Sequence, residues 1–418
     1  MCALMTQRSP HPEDDGAPPS VSRHPGTVGE VFLVFLRLGL TSFGGPVAHL
    51  AYFRDAFVTH RRWLTEKAYA DLVGLCQFLP GPASSQVGMA LGLQRAGYPG
   101  MLAAWFAFTM PSVVLLVAFA LGLQQAGNLA EAGWIDGLKA AAVAVVAHAV
   151  LSMAKTLTPD APRASIAAAA MVLVLLVPNP FVTVAAILLA GIIGWFWLRP
   201  PESGARPEDA FPVRVSRRAA WTASGVFLGL LAGLPVLAAA TGAGWATMLD
   251  SFYRAGSLVF GGGHVVLPLL QAETVPTLVD PEVFLAGYGA AQAVPGPLFT
   301  FAGFLGASST GEPSGLVGAA VAVLAIFLPA ALLVIAALPF WERLRGSTSA
   351  QKALMGVNAG VVGILAAALY TPVFTAGVLE VGIEALVLAV LAFVALNSWR
   401  APAWAVVIGA GLLGAVLL

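Results

Sequence analysis

The stretch FLRLGLTSFGG at residues 35–45 decides the fold, because it returns as FYRAGSLVFGG at residues 252–262. Six of the eleven positions are identical at this offset of 217 residues, among them an arginine and the paired glycines. Further along, QFLPGP at 77–82 matches QAVPGP at 292–297 in four of six positions, at an offset of 215. Two blocks in the same order at nearly one offset indicate an internal repeat.

The composition indicates an integral membrane protein. Of the 418 residues, 58% are hydrophobic and only 10% are charged, whereas a soluble domain carries roughly a quarter charged residues. The 45 glycines and 29 prolines exclude a continuous coiled coil and favour broken helices. Two cysteines are too few for a disulfide framework, and the chain has no basic run that would indicate binding to nucleic acid.

The repeat predicts the organisation of the chain. Residues 1–27 are polar and rich in proline without an apolar core, which favours a disordered cytosolic tail over a signal peptide. The first repeat is expected at 28–198 and the second at 246–418. Between them we expect a cytosolic linker at 199–218 and an extra transmembrane helix at 219–245.

The apolar segments predict an all-α fold of about nine full spans and four broken hairpins. The nine segments lie near 99–126, 132–157, 163–178, 180–198, 221–241, 313–340, 350–372, 378–396 and 402–418. Four others, at 28–58, 66–95, 246–270 and 282–309, are cut near the middle by GGP, PGP, GGG and PGP. Each arm of about 13 residues is roughly 20 Å of helix, so it reaches only partway across the bilayer.

Loop charges favour re-entrant hairpins over full crossings for the four cut segments. With hairpins, the basic loops such as 52–67 and 199–218 share one face, and the loops on the other face carry acidic residues but no lysine or arginine. The N-terminus is then cytosolic, the C-terminus is outside the cytoplasmic membrane, and the two repeats have inverted topology. Inverted repeats with discontinuous helices near the midplane are typical of transporters.

The two PGP breaks predict an anion site. Proline on both sides of a glycine ends one helix and starts the next, and the free amides at a helix N-terminus attract anions. The alternative is a structural kink that binds nothing. The predicted substrate-binding residues of these breaks are Gln77, Pro80, Gly81, Pro82, Ser84, Ser85, Gln86, Gln292, Pro295, Gly296, Pro297 and Thr300.

The glycine breaks and two arginines complete the predicted site. Glycine permits unusual torsions and close approach, although tight helix packing would also explain it. An intramembrane arginine costs at least about 3 kcal/mol at the bilayer centre, so it normally faces a partner or a water-filled cavity; snorkelling, or an ion pair with Glu30 or Asp250, is the alternative. These further predicted residues are Arg37, Gly44, Gly45, Pro46, His49, Arg254, Gly261, Gly262, Gly263 and His264.

Asp71 and Glu273 are the predicted proton-coupling residues, because they lie nearest the hairpins among the intramembrane acids. The sequence contains no metal cluster, ATP-binding loop or dinucleotide fingerprint, so we expect no cofactor and no enzyme activity. A membrane-embedded enzyme that pairs His49 or His264 with one of these acids is the weakest alternative. A homodimer is compatible with the apolar exterior.

The motifs resemble those of the chromate ion transporter (CHR) family in its two-domain form. The resemblance rests on FLRLGLTSFGGPVAHL, WLTEKAY, CQFLPGPASSQVGMALG, GYPG and MPS in the first half, and on FYRAGSLVFGGGHVVLPLL, QAVPGPLFTFAGFLGA and FLPA in the second. The chain departs from it where Leu278 stands at the position of Trp63 and EPSG replaces GYPG. The resemblance implies export of chromate from the cytoplasm, driven by the membrane potential or a proton gradient, and hence chromate resistance.

The residues alone leave the transported ion open, because chromate and sulfate are tetrahedral dianions of similar size. A secondary active exporter of chromate, with sulfate-like oxyanions second, is the leading hypothesis. A passive anion channel or an importer of a sulfate-like anion is the alternative. Because a point charge cannot replace the planar guanidinium fork, lysine at position 37 or at position 254 is expected to impair transport.

Overall fold

The computed structural model describes residues 26–125, 133–177, 180–199, 215–260 and 263–418. Within them the side chains of Pro46, Val47, Pro180, Phe181, His264, Glu342 and Arg345 are not described. The expected tail at 1–27 and the linker at 199–218 fall almost entirely outside these ranges. The described residues form helices and no strand, as an all-α membrane protein requires.

Seventeen α-helices follow one another in the described residues, joined by a few short 3-10 and π turns. The first repeat contains α1 Val28–Thr41, α2 Gly45–Arg54, α3 Glu66–Phe78, α4 Ala83–Gln125, α5 Gly133–Leu157, α6 Ala161–Leu176 and α7 Pro180–Trp197. Helix α8, Arg217–Thr241, joins the repeats. The second repeat contains α9 Gly244–Leu258, α10 Val266–Thr274, α11 Pro281–Ala293, α12 Phe301–Ala307, α13 Gly315–Ala337, α14 Trp341–Gly346, α15 Thr348–Ala368, α16 Ile383–Asn397 and α17 Ala403–Leu417.

Local sequence sets where the first hairpins begin. Thr27 caps α1 by accepting a hydrogen bond from the Glu30 amide (3.2 Å), and Thr65 caps α3 by accepting one from the Ala68 amide (3.2 Å). Such caps satisfy amides that have no partner inside the helix. Helix α4 is divided by a kink at Ala96 and Gly97, where Gly97 has a φ of +68°.

The first repeat forms two hairpins that begin and end at the same end of the molecule. Arg95, which precedes the kink in α4, forms an ion pair with Glu30 (3.1 Å) at the start of α1. The Arg95 carbonyl also accepts from the Gly26 amide (3.0 Å), and its guanidinium lies 4.9 Å from the Trp63 ring centroid. The chain therefore returns to one place after α1–α2 and again after α3 and the first part of α4.

The second repeat forms the same pair of hairpins at the opposite end. The Thr310 amide donates to the Leu278 carbonyl (2.8 Å), and the start of α9 at Gly244 lies against the Glu312 backbone. The later part of α4 connects the two ends, because it leaves from Arg95 and its Gln124 reaches the Ala307 carbonyl (3.0 Å). Helix α13 makes the same journey in reverse, because it begins just after Glu312 at the second end and its Val334 lies in the same hydrophobic cluster as Val31 at the start of α1.

The short helices of each repeat pack against a long helix of the other repeat. Helix α5 of the first repeat packs against α16 and α17 of the second, and α15 of the second packs against α6 and α7 of the first. Glycines at the contact points allow these close crossings. Gly137 lies on the backbone of Ala410, and Gly356 lies on that of Gly194. The repeats are thus intertwined and do not form two separate bodies.

The number of described helices that are long enough to cross a membrane does not confirm the predicted nine full spans. Within the described ranges five apolar helices are long enough to cross a membrane, namely α4, α5, α8, and α13 and α15 each with the turn that follows it. The segments expected to span at 163–178, 180–198, 378–396 and 402–418 form α6, α7, α16 and α17, of 16, 18, 15 and 15 residues. At 1.5 Å per residue these helices measure about 22–27 Å, short of a 30 Å hydrocarbon core.

Candidate functional site at the four helix breaks

Glycines with positive φ make the breaks. Gly44 (φ +100°) and Gly45 (φ +78°) separate α1 from α2, Gly81 (φ +119°) separates α3 from α4, and Gly296 (φ +100°) separates α11 from the turn before α12. Residues with a Cβ rarely adopt these torsions. Pro82 immediately precedes α4, and Pro46 stands in the first turn of α2, so the proline positions match the expected helix starts.

Two equivalent hydrogen bonds link the breaks of one repeat to those of the other. The Gly81 amide donates to the Val259 carbonyl (2.7 Å), and the Gly296 amide donates to the Ser42 carbonyl (2.8 Å). Val259 follows Ser42 by 217 residues and Gly296 follows Gly81 by 215, so the two bonds are related by the repeat. The two repeats therefore meet break to break.

Contacts within each repeat complete a ring of four breaks. His49, after the first break, lies 3.4 Å from the Ser84 hydroxyl after the second. In the second repeat the 3-10 turns Gly263–Val265 and Leu298–Thr300 contact each other. Gly261 and Gly262 lie outside the described residues, and Gly263 begins the first of these turns.

Buried polar atoms without hydrogen-bond partners lie at this ring. Ser42 Oγ, Ser85 Oγ and Gln86 Oε1 lie within five residues of a break, and Thr109 Oγ1 lies further along α4; all four side chains are at most 2% exposed. Gln292 Nε2, next to the fourth break, is also buried and without a partner. A buried polar atom without a partner costs about 1–3 kcal/mol, so such a cluster indicates a place for a polar ligand or ordered water.

His49 holds two breaks together. Its Nε2 lies 3.1 Å from the Ser42 carbonyl oxygen, which can only accept, so Nε2 carries the proton and Nδ1 accepts from the Ser84 hydroxyl. Both ring nitrogens are engaged and the side chain is fully buried. The two ring contacts of His49 are therefore with Ser42 and Ser84 and not with the acids that the enzyme alternative pairs it with.

Helix α4 contributes two hydroxyls that the sequence analysis did not assign. Ser112 is fully buried and donates a short hydrogen bond to the Pro295 carbonyl of the other repeat. Thr109 is also fully buried and lies one turn earlier on the same face. The signal in the sequence is weak, because isolated Ser and Thr in apolar helices usually bond back to their own helix.

The two repeat-related arginines have different surroundings. Arg254, on α9, forms ion pairs with Asp250 and, at 3.1 Å, with Glu273 on α10. Arg37, on α1, is exposed, and among the described residues its side chain has no hydrogen-bond or ion-pair partner. Glu30, the expected alternative partner of Arg37, pairs with Arg95. The structure thus places Arg254 with two acids and leaves Arg37 outside the buried cluster.

Other predicted residues lie apart from the cluster or are already bonded. Gln77 is exposed. Thr300 is buried, but its hydroxyl donates to the Pro297 carbonyl in its own turn (2.7 Å). Asp71 accepts a hydrogen bond from Trp341 Nε1 of the second repeat (2.8 Å).

A second charged group surrounds a cavity of about 420 Å³ elsewhere in the molecule. Its lysine, Lys139 on α5, is 6% exposed and pairs with Asp136 (2.9 Å) and with Glu282 of the second repeat (3.7 Å). Glu380 and Glu384 also line the cavity. None of the predicted site residues lines it.

Both repeats match one known family. Residues 29–195 and 246–415 match the chromate transporter family. The chain belongs to this family. Membership supports chromate transport across a membrane, and together with the long apolar helices it makes the chain a multi-pass membrane protein.

Curated relatives agree along most of the chain. A chromate transport protein of Cupriavidus metallidurans is 27% identical over 368 residues, which cover 86% of each chain. A chromate transport protein of Pseudomonas aeruginosa is 28% identical over 361 residues, covering 82% of this chain and 80% of that one. An uncharacterized transporter of Methanocaldococcus jannaschii is 25% identical over 380 residues, covering 88% and 89%. No solved structure matches the chain.

Proposed function

We propose that this family member is a secondary active transporter that exports chromate across the cytoplasmic membrane and so confers chromate resistance. One observation carries the proposal: the four helix breaks meet in a ring that contains buried polar atoms without partners. Chromate brings four oxygens and two negative charges, which hydroxyls and the free amides at the start of α4 complement. Sulfate has the same geometry, so sulfate-like oxyanions are secondary substrates.

We place the hairpins in the membrane as re-entrant arms that enter from opposite faces, with a cytosolic N-terminus and an external C-terminus. The two ends where hairpins start and finish are joined by α13, whose 23 residues span about 35 Å. That length matches one crossing of the bilayer. The ring of breaks then lies between the two faces, as in other transporters with inverted repeats.

Access to the proposed site requires motion, because the hydroxyls around the breaks are at most 2% exposed. A buried site favours a carrier with alternating access over an open channel. Helix α5 packs against α16 and α17, and α15 packs against α6 and α7. Rocking of one whole repeat against the other would disrupt both of these contacts. We propose instead that the hairpins move against the layer formed by α5–α7 and α15–α17.

Glu273 is the proposed proton carrier. Arg254 faces two carboxylates, Asp250 and Glu273, whose side chains are 10% and 11% exposed. One guanidinium compensates one negative charge, so a proton on one carboxylate neutralises the buried group. Asp71 is less suitable, because it joins α3 to Trp341 of the other repeat.

Proteoliposomes test this function. Purified protein is reconstituted, and uptake of chromate and of sulfate is measured under pH gradients of both signs and with none. The proposal predicts saturable chromate transport that a pH gradient drives above equilibrium. Failure to transport either anion would refute it, and conductive flux at channel rates without accumulation would replace the carrier by a channel.

A further inference from the structure

Most of the described polar groups at the ring of breaks come from the first repeat, with Gln292 of the second repeat as an exception. At six polar positions of the first repeat, the position one repeat later is apolar. The pairs, at offsets of 215 to 218, are Ser42 and Val259, His49 and Val266, Ser84 and Phe299, Gln86 and Phe301, Thr109 and Phe327, and Ser112 and Ala330. Ser85 matches Thr300, but the Thr300 hydroxyl is used within its own turn.

The second repeat lines its side with aromatic rings. Phe299 and Phe327 are each 1% exposed, and their ring centroids lie 5.9 Å apart. Trp105 on α4 of the first repeat packs against them, with its ring centroid 5.9 Å from that of Phe327. These rings offer no hydrogen-bond donor toward an oxyanion apart from the indole nitrogen of Trp105.

The helix starts differ in the same way. Helix α4 begins at Ala83 and continues to its kink at Ala96, so several aligned peptide dipoles end at the break. Helix α12 has only seven residues and follows a 3-10 turn, in which the Thr300 amide is already bonded to the Pro297 carbonyl (3.0 Å). Of these two helices, only α4 therefore presents a full helix N-terminus at its break.

We propose that the transporter binds a single oxyanion per chain against the first repeat, and that Thr109 and Ser112 are specificity-determining donors for it. This inference rests on the proposed function and names the side of the ring on which the anion binds. Thr109 Oγ1 is buried without a partner, one helical turn before Ser112, whose hydroxyl reaches the fourth break at Pro295. The aromatic side of the second repeat closes the site without binding charge.

Ser112 connects anion binding to the other repeat. Its hydroxyl has one proton, which it donates to the Pro295 carbonyl, and Gly296 has no side chain where a Cβ would meet Ser112 Oγ. A hydroxyl that turns to donate to the anion must release Pro295. Binding therefore breaks the hydrogen bond between Ser112 and Pro295 at the fourth break, while the hydrogen bond from the Gly296 amide to the Ser42 carbonyl remains.

Hydroxyl deletions in proteoliposomes test the inference. Thr109→Val and Ser112→Ala are each expected to raise the KM for chromate about tenfold, the usual worth of a hydrogen bond to a charged group. Thr109→Ser keeps the hydroxyl and is expected to keep the KM within twofold of wild type. The matched control is Ser257→Ala, because that buried hydroxyl donates to the Tyr253 carbonyl of its own helix (2.7 Å).

Binding stoichiometry gives a second readout on the detergent-purified protein. Titration calorimetry with chromate is expected to give one anion per chain, with weaker binding in Thr109→Val and normal binding in Ala330→Ser. Two anions per chain, or a normal KM in Thr109→Val when the wild type transports chromate, would overturn the inference. A wild type that transports neither chromate nor sulfate would instead refute the proposed function. If Ser112→Ala fails to fold, the two Thr109 variants decide the question.

Discussion

The two repeats share a backbone arrangement but differ in the chemistry of their side chains. Each has two hairpins with a glycine break. A backbone amide of each also donates an equivalent hydrogen bond to a carbonyl of the other, from Gly81 to Val259 and from Gly296 to Ser42. Around these bonds the first repeat has hydroxyls and a histidine, and the second has aromatic rings. The shared backbone arrangement brings the four helix breaks together, while the difference in side chains makes one side of the ring polar.

The charged residues differ in the opposite sense. The second repeat pairs a partly buried arginine with two carboxylates on α9 and α10, whereas the first repeat leaves its equivalent arginine exposed. The comparison suggests a division of labour, in which the first repeat binds the anion and the second repeat carries the proton. The variants below test the shared backbone first and the divided chemistry afterwards.

The largest effect is expected at the glycines that both repeats share. Gly81→Ala and Gly296→Ala force an alanine into left-handed torsions at about 1–2 kcal/mol and push a Cβ into a neighbour, Gln86 in one case and Ser112 in the other. Both are expected to lose nearly all chromate transport and to lower Tm by several degrees. Gly122→Ala, in open space on α4, should change neither quantity. Wild-type transport in either break variant would contradict the account.

An intermediate effect is expected at Glu273. Glu273→Gln removes the carboxylate that binds the proton but preserves the shape and one acceptor for Arg254. Uphill accumulation of chromate under a pH gradient is expected to fall at least tenfold, while exchange of labelled for unlabelled chromate continues. Asp71→Asn, the other acid that the sequence analysis predicted, should keep accumulation above half of the wild-type level. The reverse pattern would move the proton carrier to the first repeat.

The smallest effect is expected at Arg37, in contrast to its repeat mate. Arg254→Lys should reduce turnover about tenfold, because a single ammonium replaces a fork that reaches two carboxylates. Arg37→Lys should stay within twofold of wild type, because the side chain is exposed and has no bonded partner in the described residues. Initial rates at saturating chromate measure both. Equal losses in the two variants would restore the equivalence that the repeat alone predicts.

Much of the backbone follows from the sequence. Glycine and proline at breaks have strong local preferences, so the residue types at Gly81, Gly296 and their flanking prolines are enough to predict helix breaks there. The repeat offset also predicts that the second half has its breaks at the same relative places as the first. The helix count is harder, because the apolar run at 378–396 is divided between a π turn, Leu369–Leu379, and a helix that starts at Ile383. Hydrophobicity alone does not show where such a helix begins.

Contacts between the repeats do not follow from the sequence. Thr109 and Ser112 resemble ordinary polar residues in an apolar helix, and only the packing of α4 against the fourth break gives Ser112 the Pro295 carbonyl as partner. The same holds for Arg37, whose seven-residue spacing from the glycines is identical to that of Arg254. Its exposure depends on which face α1 turns to α4, and the neighbours across that interface are distant in sequence.

A structure of the transporter determined in the presence of chromate tests the central claim most directly. The account predicts one chromate within hydrogen-bond distance of the start of α4 and of Thr109. At least one of the two hydrogen bonds between the repeats, Gly81 to Val259 or Gly296 to Ser42, is expected to remain. Chromate bound at Arg37 on the outer face of α1, or four breaks separated from one another, would contradict it.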